Sequence, residues 1–164
     1  MNQKTLKIIG INPGTRYLGI AVFQDSELLD WRVKTFRGKW TKEKAERILK
    51  VIREQIEIHD INTIAIKKLH PSRSSKNLKL LVSKIKSLVK RKRIKAKSYS
   101  VKELERLFLT DEKPNKRNLA EKIIREYPML AHELNKEKSR KHSYYLRTIE
   151  AVALGMMIKK AANY

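Results

Sequence analysis

At 164 residues with 41% hydrophobic content, the chain has the length of one domain, 1–164, and too much apolar material to be disordered. It contains no cysteine, which excludes disulfides, thiolate zinc sites and cysteine nucleophiles; no apolar run approaches the ~18 residues of a membrane span, so a cytoplasmic protein that avoids the membrane is expected. The 39 Lys and Arg outnumber the 17 Asp and Glu to give a net charge of +22, a self-repulsion that a polyanion would relieve, and nucleic acid is the expected partner.

Apolar runs at 6–11 (LKIIGI) and 18–23 (LGIAVF) flank a Pro-Gly turn and predict an antiparallel hairpin. After a short turn at Asp25 and Ser26, the segment 27–36 continues as a third strand, with Leu29, Trp31, Val33 and Thr35 alternating with polar neighbours. The stretch "WTKEKAERILKVIREQIEI" predicts a long helix. Thr41 is its N-cap, Lys44 stands where a capping box would carry Glu, and Ala45, Ile48, Leu49, Ile52 and Ile56 recur at helical spacing. A short strand at 62–68 follows. The next helix, "SKNLKLLVSKIKSLVKRK", has Leu78, Leu81, Val82, Ile85, Leu88 and Val89 on one face and mostly lysine opposite. A strand at 93–100 completes a β-α-β unit with parallel strands. Ser100 caps a short helix at 101–109, further helices are expected near 116–126 and 128–137, and "SYYLRTIEAVALGMMIKKAA" is predominantly helical. The order βββαβαβα predicts an α/β domain with a mixed sheet.

Three segments carry a likeness in that order: "IIGINPGTRYLGIAV", "TIAIKKLHPSRSS" and "YYLRTIEAVALGMM". They resemble the RuvC-like Holliday junction resolvases of the ribonuclease H-like superfamily, whose first strand ends I-D-P-G-x-R-x-x-G. The resemblance implies a ribonuclease H-like mixed five-stranded sheet flanked by helices. It also implies a homodimer and a metal-dependent endonuclease in which acids hold two divalent cations, one activating water and the other stabilising the leaving oxygen. The positions that match those acids are Asn12, Lys67, Arg147 and Glu150, and Glu150 is the acid retained. A cation beside Lys67 or Arg147 meets repulsion of several kcal/mol per close charge, of the order expected at an effective dielectric of about 20. No metal or other cofactor is therefore expected, and a nucleic-acid-binding protein without catalysis follows. The alternative is an active structure-specific endonuclease that uses Mg2+ or Mn2+ with Glu150 and atypical ligands.

Candidate nucleic-acid contacts fall in seven places along the chain. Arg16 follows the Pro-Gly turn, and Lys67 with Lys68 ends the fourth strand. Arg73, Ser74 and Lys76 lie in a loop before a helix start, a setting that suits phosphate oxygens, although the serines equally suit helix capping. The run 84–97 holds Lys90, Arg91, Lys92 and Arg93 as a backbone track or a solvated helix end. Lys116 and Arg117 open a helix where the family has a basic residue, and Arg140 and Lys141 stand near His142, Tyr144 and Tyr145, aromatics that suit stacking on unpaired bases or a place in the core. Arg147 and Lys67 beside Asn12 would grip a phosphate. Branched DNA is the substrate the resemblance implies, and RNA stays open.

Overall fold

A computed structural model describes residues 4–132 and 146–162. Strands β1 (Lys7–Asn12), β2 (Tyr17–Gln24) and β3 (Glu27–Thr35) lead into helix α1 (Lys42–Ile58). Then come β4 (Thr63–Lys67), α2 (Lys76–Arg91), β5 (Lys95–Tyr99), α3 (Val101–Phe108), α4 (Lys116–Glu126), a 3-10 turn at Pro128–Leu130, and α5 (Leu146–Ala162). The predicted helix 128–137 and the start of the last helix extend into positions outside the described residues.

The five strands form one mixed sheet in the order β3-β2-β1-β4-β5. β1 runs antiparallel to β2 and parallel to β4, and β4 runs parallel to β5. The expected mixed five-stranded architecture is therefore present. β1 lies at the centre, so both its faces are buried. Ile9 and Ile11 join Ile64, Ile66 and the apolar stripes of α1 and α2 on one side. Ile8 and Ala65 join α3, α4 and α5 on the other. This period-2 alternation fixes where the next side chain of each strand must project.

Sequence capping holds as expected: Thr41 Oγ1 accepts from the Lys44 amide at 3.0 Å, and Ser75 and Ser100 cap α2 and α3 in the same way. Two elements depart from expectation. The alternation of Leu29, Trp31, Val33 and Thr35 does not run through the whole of β3: Leu29 is exposed and Leu28 is buried instead. The β2–β3 register jumps between Val22, opposite Asp30, and Phe23, opposite Leu28, so Leu29 is the extra residue of a β-bulge. β5 is also shorter than 93–100. Arg93 takes a left-handed φ of +56°, and the Ile94 amide donates to the Val89 carbonyl at 3.2 Å, so 93–94 terminate α2 rather than start the strand.

α5 is buried nearly all round and crosses the sheet at close range. A Cβ on Gly10 would collide with the Ala151 carbonyl oxygen, and one on Gly19 with that of Arg147. Glycine at these two strand positions lets the helix backbone lie directly on β1 and β2. That contact sets the height of Glu150 above the sheet.

Candidate functional site

Asn12 ends β1 and Lys67 ends β4, one residue past the last parallel pair, Ile11 with Ile66. Because Ile11 and Ile66 face α1 and α2, the following side chains face α5. There they meet Glu150. Asn12 Nδ2 donates to Glu150 Oε2 at 2.7 Å, and Lys67 Nζ donates to the same oxygen at 3.2 Å. The other carboxylate oxygen, Oε1, has Lys116 Nζ at 3.7 Å. Lys116 is the first residue of α4, whose start is fixed by Asn115 accepting from the Asn118 amide at 2.8 Å.

Asn12 is 1% exposed and Glu150 8% exposed, so both are core residues. An ionised carboxylate only accepts, which fixes the amide with its nitrogen toward Glu150. The Asn12 nitrogen also reaches the Arg147 carbonyl oxygen at 3.4 Å, while Oδ1 is buried without a partner. Arg147 itself turns away from this cluster. Its Nη1 donates to the Tyr17 carbonyl at 3.3 Å, and its guanidinium lies 5.8 Å from the Tyr17 ring centroid. Burial lowers the Arg147 pKa, partly offset by Glu150 and Tyr17. Position 147 therefore fastens the β1–β2 hairpin to α5 through the Tyr17 carbonyl.

No protein-family model matches the sequence, and no curated protein matches it. Solved structures do match. Thermus thermophilus RuvC in complex with a Holliday junction substrate superposes with a TM-score of 0.73 at 15% identity, covering 96% of this chain and 95% of that one. The yeast mitochondrial Holliday junction resolvase Ydc2 gives 0.65 at 13% identity, with 98% of this chain and 81% of that one covered. Fowlpox virus resolvase, solved with Holliday junction DNA, gives 0.57 at 13% identity over 97% and 100% of the two chains. The chain has the RuvC-like fold.

The RuvC-like fold implies divalent metal, and the residues here do not fit it. The four matching positions supply one carboxylate, one amide whose nitrogen faces that carboxylate, one ammonium in contact with it, and a guanidinium directed elsewhere. Magnesium needs oxygen ligands in an octahedral set. Among the described residues, no three His, Cys, Asp or Glu side chains converge as a metal site. Asp25 and Asp30 are occupied elsewhere, accepting from the Leu6 amide at 3.1 Å and pairing with Arg32 at 2.6 Å.

The RuvC-like core also carries a groove of about 510 Å³ between α2 and the end of β4. Lys67 and Lys68 form one wall; Lys79, Lys86 and Lys90, with Ser83 and Ser87 between them, form the other. Sequence reasoning named Lys67, Lys68 and Lys90 and took in Lys86 and Ser87 only as members of the run 84–97, while Lys79 and Ser83 were not singled out. Their spacing along one helical face was the available signal. Lys67 belongs to both the groove and the Glu150 cluster.

The remaining expected contacts scatter. Arg16 is exposed with its guanidinium 5.3 Å from the Tyr17 ring centroid. Arg73 and Lys76 are exposed around the α2 start, while Ser74 Oγ donates to the His70 carbonyl at 2.8 Å. His70 belongs to that turn, its Nδ1 accepting from the Ser72 amide at 3.2 Å. Arg91 and Arg93 are exposed outside the groove, and Lys92 pairs with Glu57 at 3.1 Å. Arg117 pairs with Glu121 at 3.4 Å. Arg140 and Lys141, with His142, Tyr144 and Tyr145, lie outside the described residues. No helix among the described residues is long and apolar enough to cross a membrane.

Proposed function

We propose that this chain binds nucleic acid on a RuvC-like scaffold without cutting it, because its former metal centre is now an internal ion pair. The observation that carries this reading is the 3.2 Å contact between Lys67 Nζ and Glu150 Oε2. The one acid at the four matching positions is neutralised by the chain's own ammonium, and a divalent ion would have to displace it. The groove of Lys67, Lys68, Lys79, Lys86 and Lys90 supports phosphate contact along α2. The net charge of +22 supports a polyanionic partner. Two structural relatives were solved with Holliday junctions, so four-way DNA is the first ligand to try.

The test is fluorescence anisotropy with a four-way junction, duplex DNA, single-stranded DNA and duplex RNA across a salt series. Affinity falls steeply with salt, with a slope of about −0.9 per neutralised phosphate on duplex DNA. Replacing Lys79, Lys86 and Lys90 with Ala flattens that slope by about two to three phosphates' worth on the same basis. Glu150→Gln releases Lys67 and Lys116 and tightens binding. In parallel, the protein is incubated with each substrate in Mg2+ or Mn2+. Cleavage that Glu150→Gln abolishes would establish the active endonuclease instead. A salt-insensitive or absent interaction removes the binding reading.

A further inference from the structure

We infer that the chain carries a second anion site, built for a nucleic-acid phosphate with an unpaired base beside it, on the opposite side of the hairpin turn from Glu150; this rests on the nucleic-acid reading above. A basin of about 640 Å³ opens there. Arg16 of the β1–β2 turn, Arg37 of the β3–α1 loop and Lys44 of the first turn of α1 supply three cations to its wall. Thr15 and Asn77 add a hydroxyl and an amide, and Trp40 adds a half-buried ring. The volume is that of a small-ligand pocket.

The charge balance separates this basin from the Glu150 cluster. Lys67 and Lys116 already face a carboxylate. Among the described residues, Arg16, Arg37 and Lys44 make no ion pair, and no Asp or Glu lines the basin. Lys44 is the telling member. It is 4% exposed, yet its ammonium has a single protein acceptor, the Gly38 carbonyl oxygen at 2.7 Å. An ammonium has three N–H donors, so a covered lysine with one acceptor has bonds left to give. Burial, Arg47 and Arg16 all lower its pKa, a cost that an arriving anion would reverse. Guanidinium forks, a hydroxyl and an amide converging on one space suit the several oxygens of a phosphate. The Trp40 ring offers a face to a base that is not paired.

The phosphate could come from a strand or from a free nucleotide, and the test separates them. Binding of a labelled single-stranded 12-mer is compared between the wild type, R37A/K44M and a charge-matched control, K50A/K102A. The basin variant is expected to lose about tenfold or more, and the control about twofold, as removal of general positive charge predicts. Equal losses in the two variants would overturn the site. In a second arm, AMP and inorganic phosphate are titrated while the Trp40 indole N–H is followed by NMR, the resonance being identified with Trp40→Phe. Expected are a shift with AMP and a weaker one with phosphate, both gone in Lys44→Met; no shift, or one that survives Lys44→Met, counts against the basin. Failure of all oligonucleotide binding would remove the broader function, while this second arm still decides whether the basin takes phosphate.

Discussion

Lys67 is the residue on which the candidate site turns. Its ammonium is the nearest cation to a carboxylate that is 8% exposed, and it has only Lys116, at 3.7 Å, as a substitute on the far oxygen. Removing one partner of a mostly buried pair leaves the other charge uncompensated, which costs 3–5 kcal/mol when burial is complete. Lys67 is itself partly open to solvent, so Lys67→Ala should cost about 1–3 kcal/mol on that scale, read by urea denaturation at neutral pH. Lys44 gives the opposite sign. Its folded pKa is lowered by burial, then by Arg47 and Arg16, so between that value and the ordinary lysine value the folded chain binds fewer protons than the unfolded one. Stability from this group therefore rises as pH increases through that window. Thermal melts between neutral and strongly alkaline pH should show the rise in the wild type and a smaller one in Lys44→Met. Because Gly38 is exposed, its freed carbonyl turns to water and the variant folds.

At the level of elements, the close crossing of α5 over β1 and β2 is what brings the cluster together. Gly10→Ala would drive a methyl group into the Ala151 carbonyl oxygen, a backbone atom that cannot rotate aside. A loss of about 2–3 kcal/mol is expected from overpacking, read from the denaturation midpoint, together with release of the Asn12 contact. Much of this arrangement was legible in the sequence. The Pro-Gly hairpin, the Thr41 and Ser100 caps and the two apolar helical stripes depend on residues within a few positions of one another. Alternation along β1 and β4 likewise places Asn12 and Lys67 on one side of the sheet. The bulge at Leu29 depends on pairing with β2, and nothing within β3 announces it. The direction of Arg147 was hidden for a similar reason. Spacing puts residues 147 and 150 on one face of α5, but the Tyr17 carbonyl that draws the guanidinium away is 130 residues distant in the chain. Lys79 and Lys86 were readable from helical spacing, yet their use with Lys67 required the packing of α2 beside β4.

For the molecule as a whole, a chain of net charge +22 sets its one carboxylate at the ends of β1 and β4 between two lysines. Acids can be introduced beside Glu150. Asn12→Asp with Lys67→Glu would create a cluster of three carboxylates with Glu150, the oxygen-ligand chemistry that magnesium requires. That double variant should be less stable than the wild type in EDTA and regain several degrees of melting temperature in millimolar Mg2+, whereas the wild type responds to neither. A wild-type melting temperature that rises with Mg2+ beyond an ionic-strength control would contradict the ion-pair site. The geometry at Asn12 also constrains the order in which such changes can accumulate. An acid at position 12 alone would set two carboxylates about 2.7 Å apart, forcing them to share a proton, and an acid at position 67 alone would replace the attraction at Glu150 by repulsion. Each single step leads downhill in stability, and only the pair, with metal present, climbs back. A site held together by Lys67 and one acid is thus walled off from a three-carboxylate site, because each single substitution between them loses stability.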